Sequence, residues 1–365
     1  MKTKIFIIVP SYERTGPIKG AAAIANILSK YYDVTFITLK DKKGIEDNLS
    51  ESIKKINLHS KNWNIFYWII NYRKICRLSL PQQKIISISL CFSSDLVNCF
   101  SPKGIINISS IRANLIQDYK FLFGSMGKIL SFIHFLILYK FKTVIAMTHE
   151  MSNQIKKQTK IQSVIIGNFI DEEKIKEEIT LNKNNYLSKN DNLKNINLIF
   201  VGSLTKRKRP LLLAEAVHKI TKKGINLHLT YVGDGPLKKN LVEFIKKNKL
   251  TNSITLTGIL KNPYQLILNS DFFILPSESE GVSRAALEAL FLGIPCLLRD
   301  TDGNKELIKE NVNGLLFKND YELVDRILLL INLEKKIYSD SLIPKVFTKK
   351  YAEIKYISLI ESLIK

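Results

Sequence analysis

The sequence predicts an α/β protein of two domains, each built on a parallel sheet. Three observations carry this. Apolar runs of strand length recur along the chain with helix-forming stretches between them, the alternation that βαβ units produce. The chain has 365 residues, enough for two full cores. Residues 172–194, EEKIKEEITLNKNNYLSKNDNLK, are polar and poor in glycine and aromatics, and they separate two halves that each open on strand, loop and helix. The expected division is residues 1–170, a linker at 171–194, a second domain at 195–345, and a last helix at 346–365 that crosses back to the first.

Composition is 45% hydrophobic and 24% charged, as in soluble globular proteins. Lys2-Thr3-Lys4 is followed only by Ile5–Val9, too short for the apolar part of a secretion signal. Cys76, Cys91, Cys99 and Cys296 form no C-x-x-C and read as reduced core residues of a cytosolic protein. No P-loop or H-E-x-x-H is present either, so phosphoryl transfer and zinc chemistry lose their usual signatures. The net charge is +22; residues 1–170 hold 24 Lys/Arg against 9 Asp/Glu, and the remainder 31 against 24. The basic first half suits an anionic partner: membrane headgroups, a diphosphate-linked substrate or nucleic acid. A general lysine bias of the sequence would give the same balance.

Lys4–Val9, KIFIIV, is a buried first strand. The loop from Pro10 to Gly20 holds Gly16 and Gly20, with Ala21–Lys30 a helix and Val34–Leu39 a second strand. Strand, glycine loop and helix open a nucleotide-type domain, but the spacing is not G-x-G-x-x-G, so no dinucleotide is inferred. Ile85–Phe92 is a strand ending at Ser93-Ser94-Asp95, and Asp95 is a candidate polar contact or a cap for the next helix. Ile105–Ser110 is the following strand. Arg112, just beyond it, has the planar fork that suits a phosphate or carboxylate, or it serves as a surface ion-pair residue. Residues 129–139, ILSFIHFLILY, are flanked by Lys128, Lys140 and Lys142 and are too few to span a bilayer, which takes about 20 residues. They read as a core helix with His134 packed inside it, in preference to an amphipathic helix dipping into a membrane surface. Thr143–Met147 is a strand, Thr148 caps a helix, and Val164–Gly167 is a strand leading to Asn168–Asp171.

In the second half, Ile196–Val201 is a strand. After it Lys206, Arg207, Lys208 and Arg209 are consecutive cations, placed before a helix that runs from Leu211. A loop so placed can neutralise a diphosphate, which is preferred here over a solvated basic loop or a nucleic-acid patch. Leu227–Val232 is a strand followed by Gly233-Asp234-Gly235-Pro236, a weak phosphate signal, and Ile254–Leu256 leads to the loop Thr257–Lys261. Phe272–Leu275 is a buried strand that stops at Pro276. The polar loop Ser277–Gly281, the helix formers Arg284–Leu292, the punctuation Gly293 and Pro295, and the strand Cys296–Leu298 follow. A loop and a helix start therefore lie at the carboxyl end of a strand, where α/β sheets bind ligands. Glu280 and Glu288 bracket seven residues there, and two carboxylates at one helix end can accept from several sugar hydroxyls, whereas one alone would only complement the helix dipole. Gly314–Phe317 is the last strand.

Glu280, Glu288, Gly293, Pro295, Asp300, Gly303 and Glu306 stand in that order. The set resembles the glycosyltransferase group 1 family, retaining enzymes of GT-B architecture whose signature is E-x7-E, then G-x-P, then D, G and E. The resemblance covers about residues 5 to 345, strongly in the second domain and weakly in the first. It implies two Rossmann-like domains facing a central cleft, the first for the acceptor and the second for the donor. It further implies transfer of a hexose or N-acetylhexosamine, with retention, from a nucleotide-sugar to a saccharide or polyprenyl-diphosphate-linked acceptor in cell-surface polysaccharide or lipopolysaccharide assembly. UDP is the first choice of nucleotide and GDP the second.

Carried onto this sequence, the resemblance makes Glu280, Glu288 and Lys208 the catalytic set. Glu288 would accept from ribose hydroxyls and Glu280 would hold the donor sugar. Backbone N–H groups near Gly281, Val282 and Ser283, with Lys208 and Arg207, would meet the leaving diphosphate. The family's G-R-L followed by a lysine matches at Gly202 and Lys208; Ser203 stands where the family has arginine, with Arg207 or Arg209 to substitute. The backbone of Gly258, Ile259 and Leu260 would meet the nucleobase, and Gly16 would approach the donor phosphate. The run holding Arg112 looks like an acceptor-side loop, which makes Arg112 and Asp95 acceptor candidates. Many members carry a histidine near Asp95, and this chain has none between His59 and His134. Asp300-Thr301-Asp302 could pass for a metal-binding D-x-D, but Asp300 already belongs to the group 1 pattern, so neither metal nor other cofactor is expected. A cytoplasmic location is implied, and a peripheral contact with the anionic inner face of the membrane stays open. Two other classes remain: a GT-B-like sugar-nucleotide epimerase, and a basic nucleic-acid-binding protein, although residues 206–209 lack the interleaved aromatics of single-strand binders.

Overall fold

The computed structural model describes residues 3–13, 15–42, 44, 48–59, 64–80, 83–181, 196–332 and 341–364. Two compact units emerge: Met1–Phe169 with Lys349–Lys365, and Ile170–Thr348. The strands of the first unit are β1 (Lys4–Val9), β2 (Asp33–Thr38), β3 (Lys54–Asn57), β4 (Ile85–Leu90), β5 (Ile105–Ile111), β6 (Thr143–Ala146) and β7 (Val164–Ile165). Those of the second are β8 (Ile196–Val201), β9 (Leu227–Val232), β10 (Ile254–Gly258), β11 (Phe272–Leu275), β12 (Cys296–Arg299) and β13 (Gly314–Phe317). The helices are α1 (Gly16–Leu28), α2 (Ile65–Ser79), α3 (Phe92–Asn98), α4 (Leu115–Phe123), α5 (Gly127–Leu138), α6 (His149–Thr159), α7 (Glu172–Leu181), α8 (Pro210–Lys222), α9 (Lys238–Lys247), α10 (Tyr264–Leu268), α11 (Arg284–Phe291), α12 (Asp302–Leu307), α13 (Glu322–Asn332) and α14 (Lys349–Ile364).

The first sheet runs β3-β2-β1-β4-β5-β6-β7 and the second β10-β9-β8-β11-β12-β13, every pairing parallel. β1 is apolar throughout because it lies inside a sheet covered on both faces. Its Ile5, Ile7 and Val9 enter one core, with α1 and with Ala352, Tyr356 and Ile360 of α14. Phe6 and Ile8 enter the other, with Trp68, Tyr72 and Cys76 of α2. Most strands fall within a residue or two of their expected places, because continuous apolar runs mark buried parallel strands directly.

Three expectations need correction. α1 begins at Gly16, five residues early: Pro17 presets a helical φ in the first turn, and Gly20 lies inside the helix, where a Cβ would stand 3.0 Å from the Arg112 guanidinium. The linker expected at 171–194 is helical from Glu172 to Leu181: α7 belongs to the second unit, packs on α10, and buries Ile175. Residues 182–194 lie outside the described residues. The stretch 129–139 is core on one face only, since α5 buries Ser131, His134, Phe135 and Leu138 and exposes Ile129, Phe132, Ile133 and Leu136.

Candidate active site

The second unit gathers the sequence's candidates at the carboxyl ends of β8 and β11. The cationic loop after β8 makes one tight turn over Lys206–Lys208 and then holds Arg209 at φ 53°, a left-handed conformation. That turn aims Lys208 and Arg207 at Glu280, which is 8% exposed. Lys208 Nζ pairs with Glu280 Oε1, and Arg207 Nη1 lies 3.1 Å from the same oxygen and also donates to the Ser279 carbonyl. The two loops are sewn together by Glu278 N donating to the Arg207 carbonyl at 2.9 Å. Arg209 faces elsewhere: its guanidinium pairs with Glu278 and Asp320. Of the two arginines left open by the sequence, Arg207 is therefore the one at Glu280.

Sequence reasoning missed the outer brace. Asp320 also pairs with Arg299, whose Nε donates to the Pro276 carbonyl at 3.2 Å and whose guanidinium lies 4.8 Å over the Phe317 ring. An ion pair between residues 111 positions apart, as Arg209 and Asp320 are, leaves no mark in a local pattern.

The electrostatics of the cluster follow from burial against charge. Burial pushes the Glu280 carboxyl up, but Lys208 and Arg207 outweigh it and hold it below its ordinary 4.5. Burial lowers the Lys208 ammonium, Glu280 opposes that only in part, and Arg207 adds to it. The cluster is thus one carboxylate between two cations, net positive, with Glu280 in the loop that leads into α11.

Backbone packing explains the glycines of the motif. A Cβ on Gly303, in the first turn of α12, would stand 1.0 Å from the Gly281 carbonyl oxygen, so α12 presses directly on the glutamate loop. Gly233 has φ 145°, and a Cβ there would stand 1.9 Å from the Gly202 carbonyl oxygen; one on Gly235 would stand 2.7 Å from the Leu204 carbonyl oxygen. The G-x-G after β9 therefore builds the loop floor. Gly303→Ala should cost about 1–3 kcal/mol, the usual range for overpacking, and displace the Glu280 loop. Its melting temperature, compared with that of Gly224→Ala, where a Cβ would meet nothing within 4 Å and only the φ of 80° opposes it, separates close approach from backbone conformation.

The other candidates take their places around this centre. Ser283 caps α11 by accepting from Ala286 N at 3.4 Å, with Val282 buried beside it. Glu288 lies in the second turn of α11, half-buried, and its charge helps burial to push the Tyr264 phenol upward. Gly258 has φ 74°, and after it Ile259 is 76% exposed and Leu260 half-buried. Gly202 is half-buried under Lys208, and Ser203 is exposed. Thr301 Oγ1 and Asn304 Oδ1, at the start of α12, are buried without a hydrogen-bond partner among the described residues.

In the first unit, Gly16 starts α1, exposed, with nothing within 4 Å of where a Cβ would stand. Asp95 is no acceptor contact: it is fully buried in the first turn of α3. It accepts from Ser89 Oγ at 2.5 Å and Ser109 Oγ at 2.8 Å, and it meets His134 Nε2 at 2.7 Å, while His134 Nδ1 meets Tyr119 Oη at 2.8 Å. A histidine does stand beside Asp95, brought from α5 by the fold. Arg112 is engaged within its own unit, its Nη2 donating to Asn168 Oδ1 at 2.9 Å.

Residues 182–341 match the sequence profile of the family described as glycosyl transferases group 1. An uncharacterized glycosyltransferase of Methanocaldococcus jannaschii is 25% identical over 341 residues, 90% of this chain and 89% of the relative. The Escherichia coli UDP-Gal:alpha-D-GlcNAc-diphosphoundecaprenol alpha-1,3-galactosyltransferase is 33% identical over 164 residues, 43% of this chain and 42% of that enzyme; a second M. jannaschii relative is matched over half its length. Among solved structures, Anabaena HepE in complex with UDP and glucose superposes with a TM-score of 0.77 at 15% identity, over 98% of this chain and 99% of the other, a likeness of fold.

Proposed function

We propose that the chain is a glycosyl transferase of group 1, the family whose profile matches residues 182–341, and that it moves a hexose or N-acetylhexosamine from a UDP-sugar to a lipid-linked or saccharide acceptor, with retention. The observation that carries this reading is the Arg207–Lys208–Glu280 cluster at the strand ends beside the α11 N-terminus. A diphosphate brings the negative charge that Glu280 supplies in its absence. As the cations turn to the phosphates, Glu280 is released to accept from sugar hydroxyls, and the N–H groups of Gly281, Val282 and Ser283 add their dipoles. Glu288 serves the ribose, and exposed Ile259 offers an apolar seat for the base.

In the reaction the anomeric carbon loses its bond to the diphosphate oxygen and gains one to the acceptor oxygen on the same face. The acceptor proton passes to the leaving phosphate. Arg207 and Lys208 stabilise the charge that develops there, a preorganised electrostatic contribution, so divalent metal is not required. The lipid-linked acceptor is favoured by the excess positive charge of the first half and by the acceptor named for the E. coli relative. The work would then take place at the cytoplasmic face of a membrane, in cell-surface glycan assembly.

Thermal stabilisation by UDP, GDP and ADP, with and without EDTA, tests the donor site. At 100 times its dissociation constant a ligand adds about 2.7 kcal/mol. UDP should stabilise the wild type regardless of EDTA, and Glu288→Ala should lose the effect. Equal response to all three nucleotides, or an unchanged response in Glu288→Ala, would sink the site. Release of free UDP only when acceptor is added separates transfer from epimerisation.

A further inference from the structure

The first unit carries an apolar surface that the donor chemistry does not use. Nine of the twenty-two large apolar side chains exposed among the described residues fall between Phe121 and Tyr139. They occupy the outer face of α4 and α5: Leu122 is 65% exposed, Ile129 63% and Phe132 60%, with Met126, Leu136 and Tyr139 alongside. A surface helix of a soluble unit normally turns polar residues outward. Here the outer face of α5 is apolar, and the inner one is already filled.

The stretch Leu115–Leu138 is long and apolar enough by residue count to cross a membrane, but it is not one rod. Gly124 takes φ 59° after α4, and a Cβ on Gly127 would stand 2.3 Å from the Tyr119 carbonyl oxygen, so α5 turns back against α4. At 1.5 Å per residue the two helices are about 14 and 18 Å long, well short of a hydrocarbon core of about 30 Å. The pair is also pinned to the sheet. Tyr119 of α4 and His134 of α5 meet at 2.8 Å, and His134 reaches Asp95, which Ser89 of β4 and Ser109 of β5 hold in turn. The apolar face is therefore held outward by a buried polar network.

Charge identifies the occupant. Residues 52–149 contain thirteen Lys/Arg and two acidic residues, Asp95 and Asp118, a net +11 of the chain's +22. Lys120, Lys128, Lys140 and Lys142 are exposed around the apolar patch, while Asp95 is buried and Asp118 half-buried. α2, linked to α5 through α3 on the same side of the sheet, adds exposed Phe66 and Ile70 beside Lys74 and Arg77. Two copies of such a face would set cation against cation, whereas anionic lipid satisfies rim and centre together.

We propose that the outer face of the α4–α5 pair docks in the plane of an anionic lipid bilayer, with its apolar side chains at the headgroup–acyl boundary and its lysines on lipid phosphates. This deepens the lipid-linked acceptor reading but is measured without donor or acceptor. The test is co-sedimentation of the full chain with vesicles of phosphatidylcholine alone or mixed with phosphatidylglycerol. Binding should favour the mixed vesicles and weaken as salt screens the lysines. Phe132→Glu with Leu136→Glu should abolish it, and Lys128→Gln or Lys140→Gln should each lower partition roughly five-fold on mixed vesicles only. Both glutamates replace exposed residues, so stabilisation by UDP should persist in that variant, and a failure of docking is thereby distinguished from a failure of the donor site. Equal binding to both vesicle types, wild-type binding by the double variant, or a solution dimer that the same substitutions dissolve would overturn the proposal.

Discussion

Lys208→Ala is expected to remove transfer and to weaken the second unit at once. Loss of a preorganised group at the leaving phosphate should lower kcat by about 10²–10³-fold. The same change leaves Glu280 buried with Arg207 as its remaining cation, and breaking a buried pair from one side costs about 3–5 kcal/mol. Since Arg207 stays, the lower end is expected. The pH profile of stability supplies an independent readout. Glu280 is held below its ordinary 4.5, so its contribution is present above that value and is lost as pH falls through the lower folded-state value. In Lys208→Ala burial meets less opposition and the acid limb should move to higher pH. Lys208→Met with Glu280→Gln should recover the stability without the activity. A single variant as stable as the wild type, with an unmoved acid limb, would mean that Lys208 does not hold Glu280.

His134→Ala should cost the first unit about 3–5 kcal/mol, because it opens a cavity among α3, α4 and α5 and takes a hydrogen-bond partner from two buried groups, Asp95 and Tyr119. Asp95 would keep only its two serine donors, and Tyr119 would lose its partner. For a unit of this size that is a fall in Tm of roughly 10 °C, at about 2–4 °C per kcal/mol. Ser109→Ala is the comparison, because it removes one neutral donor to the same carboxylate and should cost about 1 kcal/mol. If calorimetry gave the two variants the same loss, the imidazole would be a filler of space and the network would not be what fixes α5.

The donor-side candidates were legible because their chemistry is local in the sequence. Glu280 lies in the loop after β11 and Glu288 in the second turn of the helix that follows, so their spacing keeps both in one loop-and-helix unit. Lys206–Arg209 is contiguous and follows a strand that its own apolar run betrays. Asp95 was illegible for the opposite reason. Its exposure depends on His134, 39 residues away, and on two serines from neighbouring strands, none of which a local pattern connects. The helix α1 was misplaced at its start because Gly20 looks like a loop residue until Arg112 is seen beside it.

By itself the sequence determined the two parallel sheets and the strand order's raw material, since a strand covered on both faces must be apolar at every position. It also determined the loop-and-helix unit around Glu280, where backbone geometry follows directly from spacing. Only the tertiary structure decided that Arg207 and not Arg209 meets Glu280, that Asp95 is sealed inside the first unit, and that one face of α5 remains outside the core. Those outcomes turn on which side chains from distant segments pack against a buried charge or an apolar surface, and that is fixed by packing between elements rather than by order along the chain.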